Sequence, residues 1–131
     1  MNRILHTMLR LSNIEQSISF YTKILGMQVL RTFDQPEQGF SLTFLGFEEE
    51  SDSCVLELTY NYGVNKYELG NAFGHVAISV ENCYTACNRI KELGGKVVRE
   101  AGPLKGSNEI IAFVEDPDGY KIELIQDSIN Y

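Results

Sequence analysis

The sequence has no tryptophan, only two histidines, three prolines and three cysteines, and it carries no surplus of positive charge. Each scarcity excludes something. Cys54, Cys83 and Cys87 are an odd set with no CxxC pair, which argues against a disulfide framework and for reduced thiols in a cytoplasmic setting. Eleven Lys and Arg against 18 Asp and Glu leave a formal net charge of −7, so neither nucleic acid nor an anionic membrane is expected as the main partner. No apolar run approaches the roughly 20 residues that a membrane span needs. The opening Met1–His6 shows no secretory pattern, which agrees with a cytoplasmic protein. Chemistry that needs imidazole must use His6 or His75.

What is present is an ordinary globular composition, 44% hydrophobic over 131 residues. A chain of that length is expected to form one domain, burying about two-thirds of its unfolded surface. Within it the same pattern occurs twice. Asp52–Ser53–Cys54–Val55–Leu56–Glu57–Leu58 and Asp118–Gly119–Tyr120–Lys121–Ile122–Glu123–Leu124 both read Asp, three residues, an aliphatic, Glu, Leu. Sliding the chain along itself also sets His6 on His75, Leu25 on Gly94, Gly26 on Gly95, Val29 on Val98 and Phe44 on Phe113, with a short deletion before the last strand.

The periodicity predicts the order βαβββ in each half. Strands are expected at 4–11, 27–33, 40–47 and 53–60, with a helix over 13–25 on Ile14, Ile18, Tyr21 and Leu25. The second half predicts strands at 73–80, 96–101, 109–115 and 120–126, with a helix over 82–93 on Tyr84, Cys87, Ile90 and Leu93. Asn13 with Gln16 suits a capping box, Gly26 a helix C′ position, and Asp116–Pro117–Asp118–Gly119 a tight turn. The expectation is a single α+β domain of two modules, 4–60 and 73–126, joined by a linker at 61–72. Strand alternation sets His6, Met8, Arg10, Glu57, Thr59 and Asn61 on the more polar face of a curved mixed sheet, away from the helix.

His6, Glu57, His75 and Glu123 thus occupy corresponding strand positions in two repeats. Two imidazoles and two carboxylates suit a divalent transition metal, and an octahedral ion with four protein ligands keeps two positions for water or substrate. No ligand pair has a short-range spacing such as HExxH. The inference comes from repeat symmetry, and against it stands the ordinary role of a strand histidine or glutamate as a core or surface residue.

The sequence resembles glyoxalase I (lactoylglutathione lyase) of the short bacterial type, in the vicinal oxygen chelate superfamily, from about residue 4 to 126. The resemblance is carried by His6–Thr7–Met8–Leu9–Arg10, Phe20–Met27, Leu56–Asn61, Gly70–Ala77 and Ala112–Glu123. It implies that His6, Glu57, His75 and Glu123 are metal ligands and that the metal is nickel, with cobalt or zinc as alternatives. It implies a homodimer with active sites shared between facing modules of two subunits. It implies isomerisation of the methylglyoxal–glutathione hemithioacetal to S-lactoylglutathione through an enediolate, with Glu123 as base and Glu57 assisting reprotonation. Glutathione contacts fall on Arg10 and Asn61, then on Arg99 and Lys105. Asn71 stands where some relatives have an arginine. The alternatives are another metalloenzyme of this superfamily, from which a carboxylate at Glu57 is the discriminator, and a metal-free small-molecule-binding module.

Overall fold

The computed structural model describes residues 1–127. The chain divides into two compact units, Met1–Glu68 and the segment from Leu69 onward. In the first, β1 (His6–Leu11) is followed by α1 (Ile14–Ser19), a π-helical continuation (Phe20–Ile24), β2 (Gln28–Gln35), β3 (Phe40–Gly46) and β4 (Val55–Asn61). The sheet order is β1-β4-β3-β2. β1 lies parallel to β4, and the remaining neighbours are antiparallel. Alternation sorts the side chains. Leu9, Leu11, Leu45, Leu56 and Leu58 are buried on one face, while His6, Met8, Arg10 and Glu57 share the other.

The second unit repeats the plan with β5 (His75–Val80), α2 (Cys83–Glu92), β6 (Lys96–Pro103), β7 (Ile110–Glu115) and β8 (Lys121–Gln126), in the order β5-β8-β7-β6. Here α2 lays Cys83, Cys87 and Ile90 over a sheet that buries Ala112, Val114, Ile122 and Leu124. Both helices start at an asparagine whose side-chain oxygen accepts a backbone N–H, Asn13 from Gln16 and Asn82 from Thr85, each at 3.0 Å.

Strand and helix types and their order are as the sequence predicts, but the helices are not equal. The predicted helix at 13–25 changes to π geometry at Phe20. From cap to cap it is one residue longer than its counterpart, Asn13–Leu25 against Asn82–Leu93. A π turn is how one additional residue is absorbed inside a helix without displacing the next strand. In α2 the closing bond runs from Gly95 N–H to Ile90 C=O at 2.8 Å, five residues back; in the first helix it runs from Met27 N–H to Tyr21 C=O at 2.9 Å, six back. The glycines that match in conformation are accordingly Gly26 (φ 86°) and Gly94 (φ 87°), not Gly26 and Gly95.

Three strands outrun their predicted ends, β4 by a single residue to Asn61. β2 continues to Gln35, whose carbonyl accepts the Gly39 N–H at 2.9 Å and closes the hairpin. β6 continues irregularly to Pro103. Among the described residues no helix is long and apolar enough to cross a membrane.

Candidate active site

In each unit the histidine opens the first strand and the glutamate sits in the fourth, its parallel neighbour. The register sets Met8 opposite Glu57 and Ala77 opposite Glu123. Each histidine is therefore two residues short of the position facing its glutamate, on the same side of the sheet, and reaches it diagonally. His6 Nε2 lies 2.9 Å from Glu57 Oε1, and His75 Nε2 lies 3.0 Å from Glu123 Oε1. The carboxylates are mostly covered, 14% and 13% exposed, while the imidazoles are 38% and 41% exposed.

A third residue completes each pair. Phe44 and Phe113, on the third strand of their units, stand directly opposite Glu57 and Glu123. The His6 and Phe44 rings meet edge to face, with centroids 5.6 Å apart and planes at 79°; His75 and Phe113 do so at 5.2 Å and 82°. The phenyl groups brace the imidazole planes. The last strand of the second unit is set in place by its turn, where buried Asp116 accepts the backbone N–H groups of Asp118 and Tyr120 through Oδ1, both at 2.9 Å.

Beyond this shared triad the two units diverge. The Thr59 hydroxyl, buried two residues past Glu57, donates to Glu57 Oε2 at 3.1 Å. The corresponding residue past Glu123 is Ile125, which has no donor. Arg31 and Arg99 also correspond, each beyond a bulge and opposite the site phenylalanine. Arg31 lays its guanidinium 3.7 Å over the Phe44 ring and pairs with Glu50 through Nε at 2.6 Å. That pairing holds the Glu50 carboxyl below its ordinary range and raises the Arg31 guanidinium. Arg99 instead turns into its own sheet edge and donates to the carbonyls of Glu100, Gly102, Ile111 and Pro103, all at 3.0 Å. Lys121 stands opposite His75, where the first unit has Val55 opposite His6. Lys121 and Lys96 both pair with Glu115, and together they keep that carboxyl low.

Of the residues expected to meet glutathione, Arg10 is exposed on the face that bears His6 and Glu57, beside Thr59. Asn61 follows on β4 and donates from Nδ2 to the Tyr67 hydroxyl at 3.1 Å. Lys105 lies exposed in the turn between β6 and β7, and Arg99 has the carbonyl partners just described. Asn71 is exposed in the turn that precedes β5.

Comparison with known proteins identifies the architecture. Residues 3–124 match the family model described as the glyoxalase/bleomycin resistance protein/dioxygenase superfamily. The chain belongs to that superfamily. Within it, the chain is 59% identical over 125 residues to a lactoylglutathione lyase of Escherichia coli O157:H7, covering 95% of this chain and 93% of that one. It is 56% identical to a lactoylglutathione lyase of Neisseria meningitidis serogroup A over 98% of this chain and 97% of the relative. Among solved superfamily structures, glyoxalase I from Zea mays aligns with a TM-score of 0.93 at 46% identity, over 95% of this chain but only 44% of the maize chain. The trypanothione-dependent glyoxalase I of Leishmania major aligns at 0.89 and 44% identity, over 98% and 89%.

The donor chemistry of this superfamily member suits a divalent cation. Each unit presents one imidazole nitrogen and one carboxylate oxygen at a spacing that a single ion can bridge. Each presents only that pair, and among the described residues no group of three or more His, Cys, Asp or Glu is gathered for a metal. Sequence reasoning singled out these four residues, and the structure sets them in two His–Glu pairs. The same reasoning passed over Thr59, Phe44, Phe113 and Arg31 as site residues; the signal for the phenylalanines was their coincidence in the repeat.

Proposed function

We propose that this chain is a glyoxalase I, isomerising the hemithioacetal of methylglyoxal and glutathione to S-lactoylglutathione and so removing methylglyoxal. The observation that carries the proposal is the twofold His–Glu–Phe arrangement, in a chain more than half identical to lactoylglutathione lyases over nearly its full length. His6, Glu57, His75 and Glu123 would hold one divalent ion, two donors from each unit, with nickel the metal and cobalt or zinc the alternatives. The two units that complete a site would come from the two subunits of a homodimer. Free thiols at Cys54, Cys83 and Cys87 suit a reducing cytoplasm.

The reaction moves two protons. One leaves C1 of the hemithioacetal and returns at C2, the hydroxyl proton passes from the C1 oxygen to the C2 oxygen, and in between negative charge spreads over those two adjacent oxygens. The ion, when bound, supplies a Lewis-acid charge for those oxygens. Glu123 takes the C1 proton and delivers it to C2, with Glu57 on the opposite side able to assist the return. His6 and His75, braced by Phe44 and Phe113, keep the donor geometry fixed while charge develops. Arg10 lies four residues along β1 from His6, about 13 Å at strand rise. That separation would suit a guanidinium anchoring the carboxylate of a tripeptide thiol while its sulfur end is at the reacting centre.

Thioester formation from methylglyoxal and glutathione, followed in the ultraviolet with metal-stripped protein given nickel, cobalt or zinc separately, tests the activity and ranks the metals. Absence of thioester with every metal would defeat the proposal. Glu123→Gln should reduce turnover by at least 100-fold while leaving the circular dichroism unchanged, and near-normal turnover would remove Glu123 from the role of base.

A further inference from the structure

The two glutamates are symmetric in sequence but not in their surroundings. Glu57 has both carboxylate oxygens occupied, Oε1 at His6 Nε2 and Oε2 by the Thr59 hydroxyl. It stands opposite Phe44, which lies under the Arg31 guanidinium. Glu123 has the same histidine contact at Oε1, but two residues on is the half-buried, donorless Ile125. The counterpart of Arg31 is turned away onto backbone carbonyls. A carboxylate held at both oxygens by groups on its own sheet loses torsional freedom; one held at a single oxygen keeps it.

We infer that Thr59 is a positioning residue which ties Glu57 down as a ligand, limiting it to assisting the return of the proton, and that Ile125, by offering no such tie, leaves Glu123 as the carboxylate free to abstract it. One hydroxyl, present in one repeat and missing from the other, divides the labour between two otherwise equivalent glutamates. The inference deepens the glyoxalase proposal and rests on it for the reaction, but the tether also has a consequence independent of turnover. A second partner that orients a ligating carboxylate contributes to metal affinity, with losses of about 10- to 100-fold when such partners are removed.

Three substitutions separate the possibilities. Thr59→Val keeps the shape and removes the donor; Thr59→Ser restores it; Ile125→Thr supplies a donor where none exists. Cobalt(II) affinity, read by competition with a chromophoric chelator, should fall about tenfold in Thr59→Val and recover in Thr59→Ser. In the Glu123→Gln background, Thr59→Val should raise residual kcat about tenfold with KM unchanged, because the released Glu57 can take the proton; Thr59→Ser should not. Ile125→Thr should lower kcat about tenfold at unchanged KM. Wild-type cobalt affinity in Thr59→Val, or unaltered kcat in Ile125→Thr, would overturn the inference. Should Thr59→Val not fold, the Ile125→Thr result decides alone. Lack of thioester formation by the wild-type protein would instead defeat the glyoxalase proposal, and the chelator competition would still report on the tether.

Discussion

Arg10 is exposed, on the site face, and beside Thr59, so its removal should be felt in binding rather than in chemistry. A charge-assisted bond to a carboxylate contributes about 1.5–3 kcal/mol, so Arg10→Ala should raise KM for the glutathione adduct by roughly 10- to 100-fold with kcat nearly preserved, and steady-state kinetics on the two chains will show it. The cysteines differ as sharply. Burial pushes the Cys83 thiol up to about 11, and Cys87 is also raised by burial, whereas Cys54 is exposed. A thiol-disulfide reagent at pH 8 should label Cys54 quickly and the other two only after denaturation. The Cys83 shift has a stability counterpart. Because the folded value lies above the ordinary 9.0, its contribution is intact below that pH and is lost as pH rises from about 9 to about 11. Cys83→Ala should flatten that alkaline limb in urea titrations. The two histidines and two glutamates were legible in the sequence because a repeat advertises paired residues of rare type. Thr59, Phe44 and Arg31 were not, since a threonine, a phenylalanine or an arginine in a strand is ordinary until the register shows what it faces. Arg31 and Arg99 even share a position yet point to different partners, a divergence set by the irregular end of β6 rather than by residue type.

At the scale of the element, the turn that launches β8 matters most for the site. Asp116 Oδ1 gathers two backbone N–H groups in a buried setting, and Glu123 comes seven residues later on the strand so fixed. Asp116→Ala should cost about 2–3 kcal/mol, the loss of bonds to a charged acceptor plus two donors left in a covered turn, seen as a lower urea midpoint with unchanged slope. Glu115, at the end of β7, is held low first by its bond to Lys121 and then by Lys96. A lowered carboxyl contributes stability that is present above the unfolded value and disappears as pH falls through the folded one. Glu115→Gln should therefore narrow the stability difference between pH 7 and pH 3, by under about 1 kcal/mol for so exposed a pair of lysines. Strand positions could be read from alternation and turn chemistry, and the helices from their apolar spacing and asparagine caps. The π turn could not, because Ile14, Ile18, Tyr21 and Leu25 fit an α-helix equally well. Only the one-residue difference in cap-to-cap length betrays it, and that difference becomes visible when Gly26 is matched with Gly94 by conformation instead of with Gly95 by offset.

For the whole molecule the decisive fact is that each compact unit carries one histidine and one glutamate of the proposed metal site. A four-donor site needs one unit of each kind, and two arrangements supply it: the units of one chain, or the first unit of one subunit with the second unit of its partner. The proposed homodimer takes the second arrangement, and mixing two dead chains distinguishes them. His6→Ala cripples every first unit and His75→Ala every second unit, so either variant alone should lose metal binding and turnover. In a mixed dimer with shared sites, one site receives both defects and the other receives none. Random pairing makes about half of the dimers mixed, each with one intact site, so co-refolded variants should recover roughly a quarter of wild-type activity and nickel content. Sites confined to single chains allow no recovery, because every site then contains a defect. The nickel stoichiometry adds a readout that does not depend on turnover. Recovery should also scale as the product of the two variant fractions, peaking at equal amounts, which a contaminant carrying native enzyme could not imitate.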